Sequence, residues 1–412
     1  MARNTIAAID IGTTAITTVV AGTANKDQKI RILGMGRSPT YGMRRGSVVD
    51  IDEVTASIKK SVQAAAKAAN VKISSAIIAA SGTHVNSFVS RGVIAVGRAD
   101  GEISEGDVKR VLSAAEGAIP RNPNREVIHV IPKAYKIDGE SGIADPIGMV
   151  GIRLEVEAII IDGAKSAMQS LMKCMEGAGV EVEDFVFSPL ASAEAVLSRR
   201  QKELGVMLLD IGGGTSDFSV FEEGRLIHAG VFPVGGNHIT SDIAIVFQTD
   251  VDVAEKIKLS FGHSLPDEIA KREQIKLAEF VPDAKETYSH RALAEIIEAR
   301  LKDIFELAHK ELKKINRAGL LPAGVVLIGR ASSIPGIVEL AKRELELPVE
   351  LASATQSPHH GKPDEKLFDL PVASGLIHWQ MNRVSGRDPF FYNSTVAQVA
   401  SSVKNWLRIF LP

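Results

Sequence analysis

The stretch LLDIGGGTSDFSV, residues 208–220, sets Asp210 at the end of an apolar run, then Gly212, Gly213 and Gly214, then Thr-Ser-Asp. Three glycines in a row give up side-chain packing and chain entropy, so they belong where backbone bends sharply or something must come close. Phosphate is such a partner, because a turn that aims successive N–H groups at one point makes a nest for an anion. Asp210 beside that nest suits a magnesium ion that keeps its own water, since Mg²⁺ dehydrates reluctantly and is held through one or two carboxylates. By itself the stretch fits an ordinary glycine-rich hairpin equally well.

The chain offers the arrangement twice. AAIDIGTTAITTVVAG, residues 7–22, again has an apolar approach, Asp10-Ile11-Gly12, the hydroxyl residues Thr13 and Thr14, and an alternating strand from Ile16 to Val20. Each copy runs into a further strand, KIRILGMG after the first and RLIHAGVF after the second, and then into a helical stretch. The repeated unit is therefore three antiparallel strands and a helix. Two such tips facing across a cleft would hold a polyphosphate and its metal from both sides. Chance duplicates a whole pattern far less readily than one loop, so nucleotide binding is the favoured reading.

Periodicity outlines the elements that must carry these tips. Residues 50–70 place Val54, Ile58, Val62, Ala65 and Ala69 on one helical face, with Asp50 or Asp52 as cap. IIAASGTHV reads as a buried strand turning at Gly82. Between 85 and 163 the pattern changes to a helix from Gly106 to Ala118 and two alternating segments, REVIHVIPKAYKI and GIRLEVEAIII, which suggests an inserted α+β unit. A helix near 164–177, the strand VEDFVFS and the helix PLASAEAVLS lead to the second hairpin. Beyond it lie a charged, mostly helical stretch to Arg300, the long helix ALAEIIEARLKDIFELAHKELKKI, and the buried strand GVVLIG. A helix at 335–346, the strand PVEL and a helix at 370–381 complete the repeat. His359 and His360 sit in a solvated loop without the spacing of a closed metal site.

A length of 412 residues suits two or three domains. With 45% apolar and 24% charged residues and a net charge of −2, the composition is globular and gives no global attraction to nucleic acid or anionic lipid. The single cysteine, Cys174, excludes an internal disulfide and fits a reducing compartment. No secretory signal and no run as long as a membrane span is expected. The terminal stretch STVAQVASSVKNWLRIFLP is different: Val396, Val399, Val403, Trp406, Leu407, Phe410 and Leu411 fall within an arc of about 140° at helical spacing, opposite Gln398, Ser401, Lys404 and Arg408. That pattern fits a helix lying flat at a membrane interface, with Trp406 at headgroup depth and Lys404 and Arg408 near anionic lipid. Gly386 and Pro389 mark the residues before it as a linker.

In this order, the two hairpins, the PLASAEAVL helix, the VLIGRASSIPGI segment and the PVASGL helix resemble the actin-like ATPase superfamily, which includes actin, the heat-shock chaperone ATPases, sugar kinases and bacterial filament proteins. Within it, RRGSVVDID, PVGGNHITSDIA and the terminal amphipathic stretch look like the FtsA family of bacterial cell-division proteins. The resemblance implies an α/β fold: an actin-like duplicated βββαβα core with a nucleotide cleft between two halves, each carrying an inserted subdomain. It implies a first core subdomain of 1–84, completed by 164–204 and 360–385, with the insert at 85–163. The second core subdomain is 205–236, completed by 301–359, with a helical insert at 237–300, a linker at 386–395 and the membrane helix at 396–412.

The same resemblance implies ATP and Mg²⁺ as cofactors and assigns residues to them. Asp10 and Asp210 would hold magnesium through water, and Gly12, Thr13, Thr14, Gly213, Gly214 and Thr215 would contact phosphates. Gly236 would approach the nucleotide, Glu255 and Lys258 would reach the ribose, and adenine would lie against Gly329, Arg330 and Ser333. Arg330 stands where the family has a second glycine, and its guanidinium would either stack on adenine or obstruct it. Ser188 stands where the chaperone ATPases have a glutamate, so no catalytic base is assigned and hydrolysis is expected to be slow. The implied partners are copies of itself in a protofilament, other division proteins, anionic lipid on the cytoplasmic face of the membrane at the division site, and the C-terminal tail of the tubulin-like protein FtsZ, but no nucleic acid. Lys271, Arg272, Lys276, Arg291 and Arg300 offer cations to that tail, Arg291 and Arg300 foremost. The alternative on this fold is a small-molecule (sugar or acid) kinase, for which Asp217 is the only evident acceptor base; its other role is to fix the hairpin tip.

Overall fold

The computed structural model describes residues 5–24, 29–120, 122–282, 284–352 and 370–384. Strands β1 (Thr5–Ile11), β2 (Ala15–Ala24) and β3 (Lys29–Pro39) form an antiparallel meander. A small hairpin of β4 (Met43–Arg44) and β5 (Ser47–Val48) leads into helix α1 (Ile51–Ala69). Asp50 caps this helix by accepting from the Glu53 N–H at 3.0 Å, and the helix buries Val54, Ile58, Val62 and Ala65 against the sheet. Strand β6 (Ser75–Ala80) then lies parallel to β1.

An insertion follows, made of β7 (Val85–Ala95), α2 (Glu105–Gly117), β8 (Arg125–Ile137), β9 (Glu140–Ile143) and β10 (Arg153–Ala164). Its sheet order is β7-β10-β8-β9, because β10 returns between the two earlier strands and pairs antiparallel with both. Val111, Leu112 and Ala115 of α2 close its own small core. Helix α3 (Lys165–Gly177) and strand β11 (Glu181–Phe187) complete the first sheet in the order β11-β6-β1-β2-β3, and helices α4 (Ser188–Val196) and α5 (Arg199–Leu204) cross to the second half.

The second half repeats the plan with β12 (Val206–Ile211), β13 (Ser216–Glu222) and β14 (Arg225–Phe232). Helices α6 (Gly236–Val246) and α7 (Val251–Phe261), the short strands β15 (Gln274–Lys276) and β16 (Thr287–Ser289), and helix α8 (His290–Lys314) come next. Then β17 (Val325–Ile328), α9 (Ile337–Leu345) and β18 (Val349–Leu351) finish a sheet ordered β14-β13-β12-β17-β18. Read from the meander outward, both sheets have one order: three antiparallel strands followed by two parallel ones. Ser216 through Phe221 of β13 are all buried, so both faces of this strand are covered. Helix α4 covers the second face, where the Ser219 hydroxyl donates to the Pro189 carbonyl.

Helix α10 (Pro371–Val384) returns to the first lobe and crosses α4. Gly375 sits at the crossing, where any side chain would overlap the Ala191 backbone. Arg383 near its end pairs with Asp184 of β11.

Candidate functional site

The two hairpins share one register. Asp10 pairs with Thr17 across β1 and β2, and Asp210 pairs with Asp217 across β12 and β13. The first tip closes with the Gly12 N–H donating to the Ala15 carbonyl at 3.1 Å. The second is fastened to the start of α6, where the N–H groups of Gly236 and Asn237 donate to the Gly212 and Gly213 carbonyls, each at 2.8 Å. The tips then meet. A Cβ on Gly214 would lie 2.9 Å from Thr13, and one on Gly213 would overlap the Thr14 methyl. Gly12, Thr13, Thr14, Gly213, Gly214 and the buried Thr215 thus converge at one point between the lobes.

Negative charge is concentrated there. Burial pushes the Asp10 carboxyl up to about 7, the charge of Asp210 adds to this, and only Arg37 opposes it. Burial alone lifts Asp210 to about 6. Asp217 is raised well above the ordinary carboxylate range by burial and by Asp210, although the Ser81 and Thr215 hydroxyls face it. Its Oδ1 and the Ser81 Oγ are buried with no properly formed hydrogen bond among the described residues. Partly buried carboxylates that repel one another beside a cluster of small and hydroxyl-bearing residues fit a divalent cation together with phosphate oxygens.

The neighbouring wall comes from the second lobe. Lys258 on α7 pairs with Glu255 at 2.6 Å, and its ammonium also donates to the Thr240 hydroxyl at 2.7 Å and the Gly236 carbonyl at 3.2 Å. A Cβ on Gly236 would lie 3.3 Å from Ala331. Gly329 is left-handed, with φ 89°, and a side chain there would overlap the Asp210 carboxylate. Arg330 to Ser333 form a single 3-10 turn in which Ser333 directs its hydroxyl to the Arg330 carbonyl at 2.7 Å. Arg330 is exposed, with no ion pair among the described residues, and its charge depresses Arg37 after burial does. The two guanidiniums, one from each lobe, are therefore close enough to repel.

Some of this wall escapes a reading of the sequence. Arg37 lies opposite Thr17, itself opposite Asp10, so only the strand register finds it. Thr40 donates to the Gly12 carbonyl at 2.9 Å, and Asn237 presents Oδ1 3.2 Å from the Cβ position of Gly213. The cations at 291 and 300 are already engaged: Arg291 pairs with Asp267 at 2.8 Å, and Arg300 grips both carboxylate oxygens of Asp242 at 2.7 and 3.0 Å. Lys271, Arg272 and Lys276 are exposed and make no ion pair among the described residues. The terminal residues from Val396 to Leu411, and His359 and His360, lie outside the described residues.

Two lobes of one strand order, joined by crossing helices and meeting at paired glycine and hydroxyl tips, define an actin-like two-lobed α/β protein. Bound to ADP, MreB5 of Spiroplasma citri shares the fold at a TM-score of 0.54 over 92% of this chain and 98% of its own, with 12% identity. The family model for the cell division protein FtsA matches residues 207–375, and that for the SHS2 domain inserted in FtsA matches residues 82–162, the four-stranded insert. FtsA of Bacillus subtilis is 38% identical over 84% of this chain and 78% of its own, and FtsA of Pseudomonas aeruginosa is 37% identical over 84% and 82%. The chain belongs to the FtsA family of cell-division proteins.

Proposed function

We propose that this chain binds ATP with magnesium in the cleft, turns it over slowly, assembles into filaments, and tethers FtsZ to the cytoplasmic face of the membrane at the division site. The observation that carries the nucleotide reading is the meeting of the two tips around the partly buried carboxylates of Asp10 and Asp210. Asp10 and Asp210 would hold the magnesium water shell, the tip residues the phosphates, Glu255 and Lys258 the ribose, and Gly329, Arg330 and Ser333 the adenine. Bound magnesium would neutralise charge on the phosphate oxygens. Slow turnover fits two features: Ser188 carries a hydroxyl where a base would help, and the cleft's surroundings favour the protonated form of Asp217.

Apolar residues on the outside support self-association: Ile245 and Leu259 on α6 and α7 are 74% and 73% exposed, and Val150 and Ile152 on the first insert 70% and 79%. For the FtsZ tail, Lys271, Arg272 and Lys276 are better placed than Arg291 and Arg300, whose internal partners an acidic peptide would have to displace. No helix among the described residues is long and apolar enough to cross a membrane. An interfacial helix at 396–412 would then supply attachment, weak for one copy and firm for many aligned along a filament.

One set of measurements tests the proposal: calorimetry with Mg-ATP and sedimentation with anionic vesicles, on the intact chain, on Asp210→Ala and on a chain truncated after Tyr392. Asp210→Ala should lose roughly 10- to 100-fold in nucleotide affinity, as loss of a group ordering metal-bound water does. The truncated chain should bind nucleotide normally and stay in the supernatant. Equal nucleotide affinity for Asp210→Ala would overturn the cleft assignment, and pelleting of the truncated chain would overturn the anchor.

A further inference from the structure

The small β4–β5 hairpin stands directly over the meeting point of the two tips. Its loop is the two residues Arg45 and Gly46, both left-handed at φ 50° and 76°, which is the signature of a tight type I′ turn. Asn, Asp or Gly normally fill the first position, and a long side chain there strains the backbone. The turn is nevertheless tied down on three sides. The Gly46 N–H donates to the Thr13 hydroxyl at 3.1 Å. The Arg45 Cα lies 3.2 Å from the Cβ position of Gly214. The Thr83 N–H donates to the Arg45 carbonyl at 3.3 Å, and a side chain on Gly46 would overlap the Ser81 carbonyl. Both phosphate tips and the end of β6 therefore touch one turn.

The side chain raised on that turn is a cation without an anion. Arg45 is exposed and has no ion pair among the described residues. Its Cα stands beside Gly214, and its charge reaches the second lobe, where it helps depress His238 at the start of α6 after burial does. A guanidinium offers planar paired donors that suit phosphate oxygens, and here it is held outside the tips that cradle the inner phosphates.

We propose that Arg45 contacts the terminal phosphate of a nucleoside triphosphate and makes the cleft prefer triphosphate to diphosphate. This rests on the nucleotide reading of the cleft and adds the residue that reads the phosphate count. It also gives the strained turn a purpose, because the backbone that holds the guanidinium up is the backbone that senses both tips.

The test is direct binding, by calorimetry, of a magnesium-loaded non-hydrolysable ATP analogue and of Mg-ADP to the intact chain, Arg45→Gly, Arg45→Lys and Arg44→Ala. Glycine suits both left-handed positions, so Arg45→Gly keeps the turn and should melt no lower than the parent. It should lose about tenfold in affinity for the analogue, the size of one charge-assisted bond, while ADP affinity stays within about twofold. Arg45→Lys should recover part of the preference, and Arg44→Ala should leave it intact. If Arg45→Gly keeps the parent's ratio of analogue to ADP affinity, the Arg45 assignment is wrong and the cleft reading stands. If the intact chain binds neither nucleotide, both fall together.

Discussion

The two hairpin tips share strand order and register but are built as opposites. The first presents hydroxyl side chains, Thr13 and Thr14, and the second presents bare backbone at Gly213 and Gly214, so that one fits into the other. The charges differ as well. In the first lobe Asp10 faces Thr17, with Arg37 on the next strand; in the second, Asp210 faces a further carboxylate, Asp217, with Val231 in the place of Arg37. The duplication thus preserves the frame and divides the chemistry of the tips: the first brings hydroxyls with Arg37 behind them, and the second brings bare backbone and a second carboxyl group.

The largest effect should come from filling the socket. Gly214→Val would drive a branched side chain into Thr13 and the Arg45 backbone; nucleotide binding should be lost and stability should fall by roughly 1–3 kcal/mol, as overpacking does. Thr14→Val, on the side already bearing a methyl, should keep the fold and lose far less affinity. Equal losses in calorimetry for the two would break the knob-and-socket distinction.

A second contrast is electrostatic. A carboxylate whose folded pKa exceeds its unfolded value takes up a proton on folding, so its folded form is favoured at acid pH and that advantage disappears as pH climbs through the folded value. With chelator present and nucleotide absent, stability should therefore decline from the unfolded value of 3.8 toward about 7 through Asp10 and toward about 6 through Asp210. Urea titrations across this range should show Asp10→Asn removing a larger share of the slope than Asp210→Asn, on the order of a few kcal/mol, with Asp217 contributing alongside both. If Asp210→Asn flattens the curve more, the assigned asymmetry is reversed.

The smallest change should follow Asp217→Thr, which gives the second lobe the residue of the first. It removes a buried carboxylate with an unpartnered oxygen, so stability near neutral pH should rise by about 1 kcal/mol while nucleotide affinity moves little. An affinity loss matching that of Asp210→Ala would instead make Asp217 part of the metal site.

Much of this frame is legible in the sequence because it depends on local signals. DIGTT and DIGGGT announce strand ends and turns, and apolar spacing announces α1 and the buried β17. What escapes is set by contacts between distant residues. No local pattern places Arg37 beside Asp10, because the strand pairings must first be known. RRGS serves as a family resemblance in the sequence, and its position over both tips emerges only when β1, β6 and β12 are brought together. The insert's strand order is equally hidden, since β10 enters between strands that precede it. Arg330 is conspicuous as a residue type, but its repulsion of Arg37 depends on how the two lobes come together.

Helix α10 has a mechanical consequence. It is sealed to α4 by the bare backbone at Gly375 and riveted to β11 through Arg383 and Asp184, while α4 itself lies against β13 of the second sheet. A pull that reaches α10 is therefore handed to β11 of the first sheet through Arg383 and to β13 of the second through α4. The fastening point lies at the seam of the two halves, so a load there is shared between them.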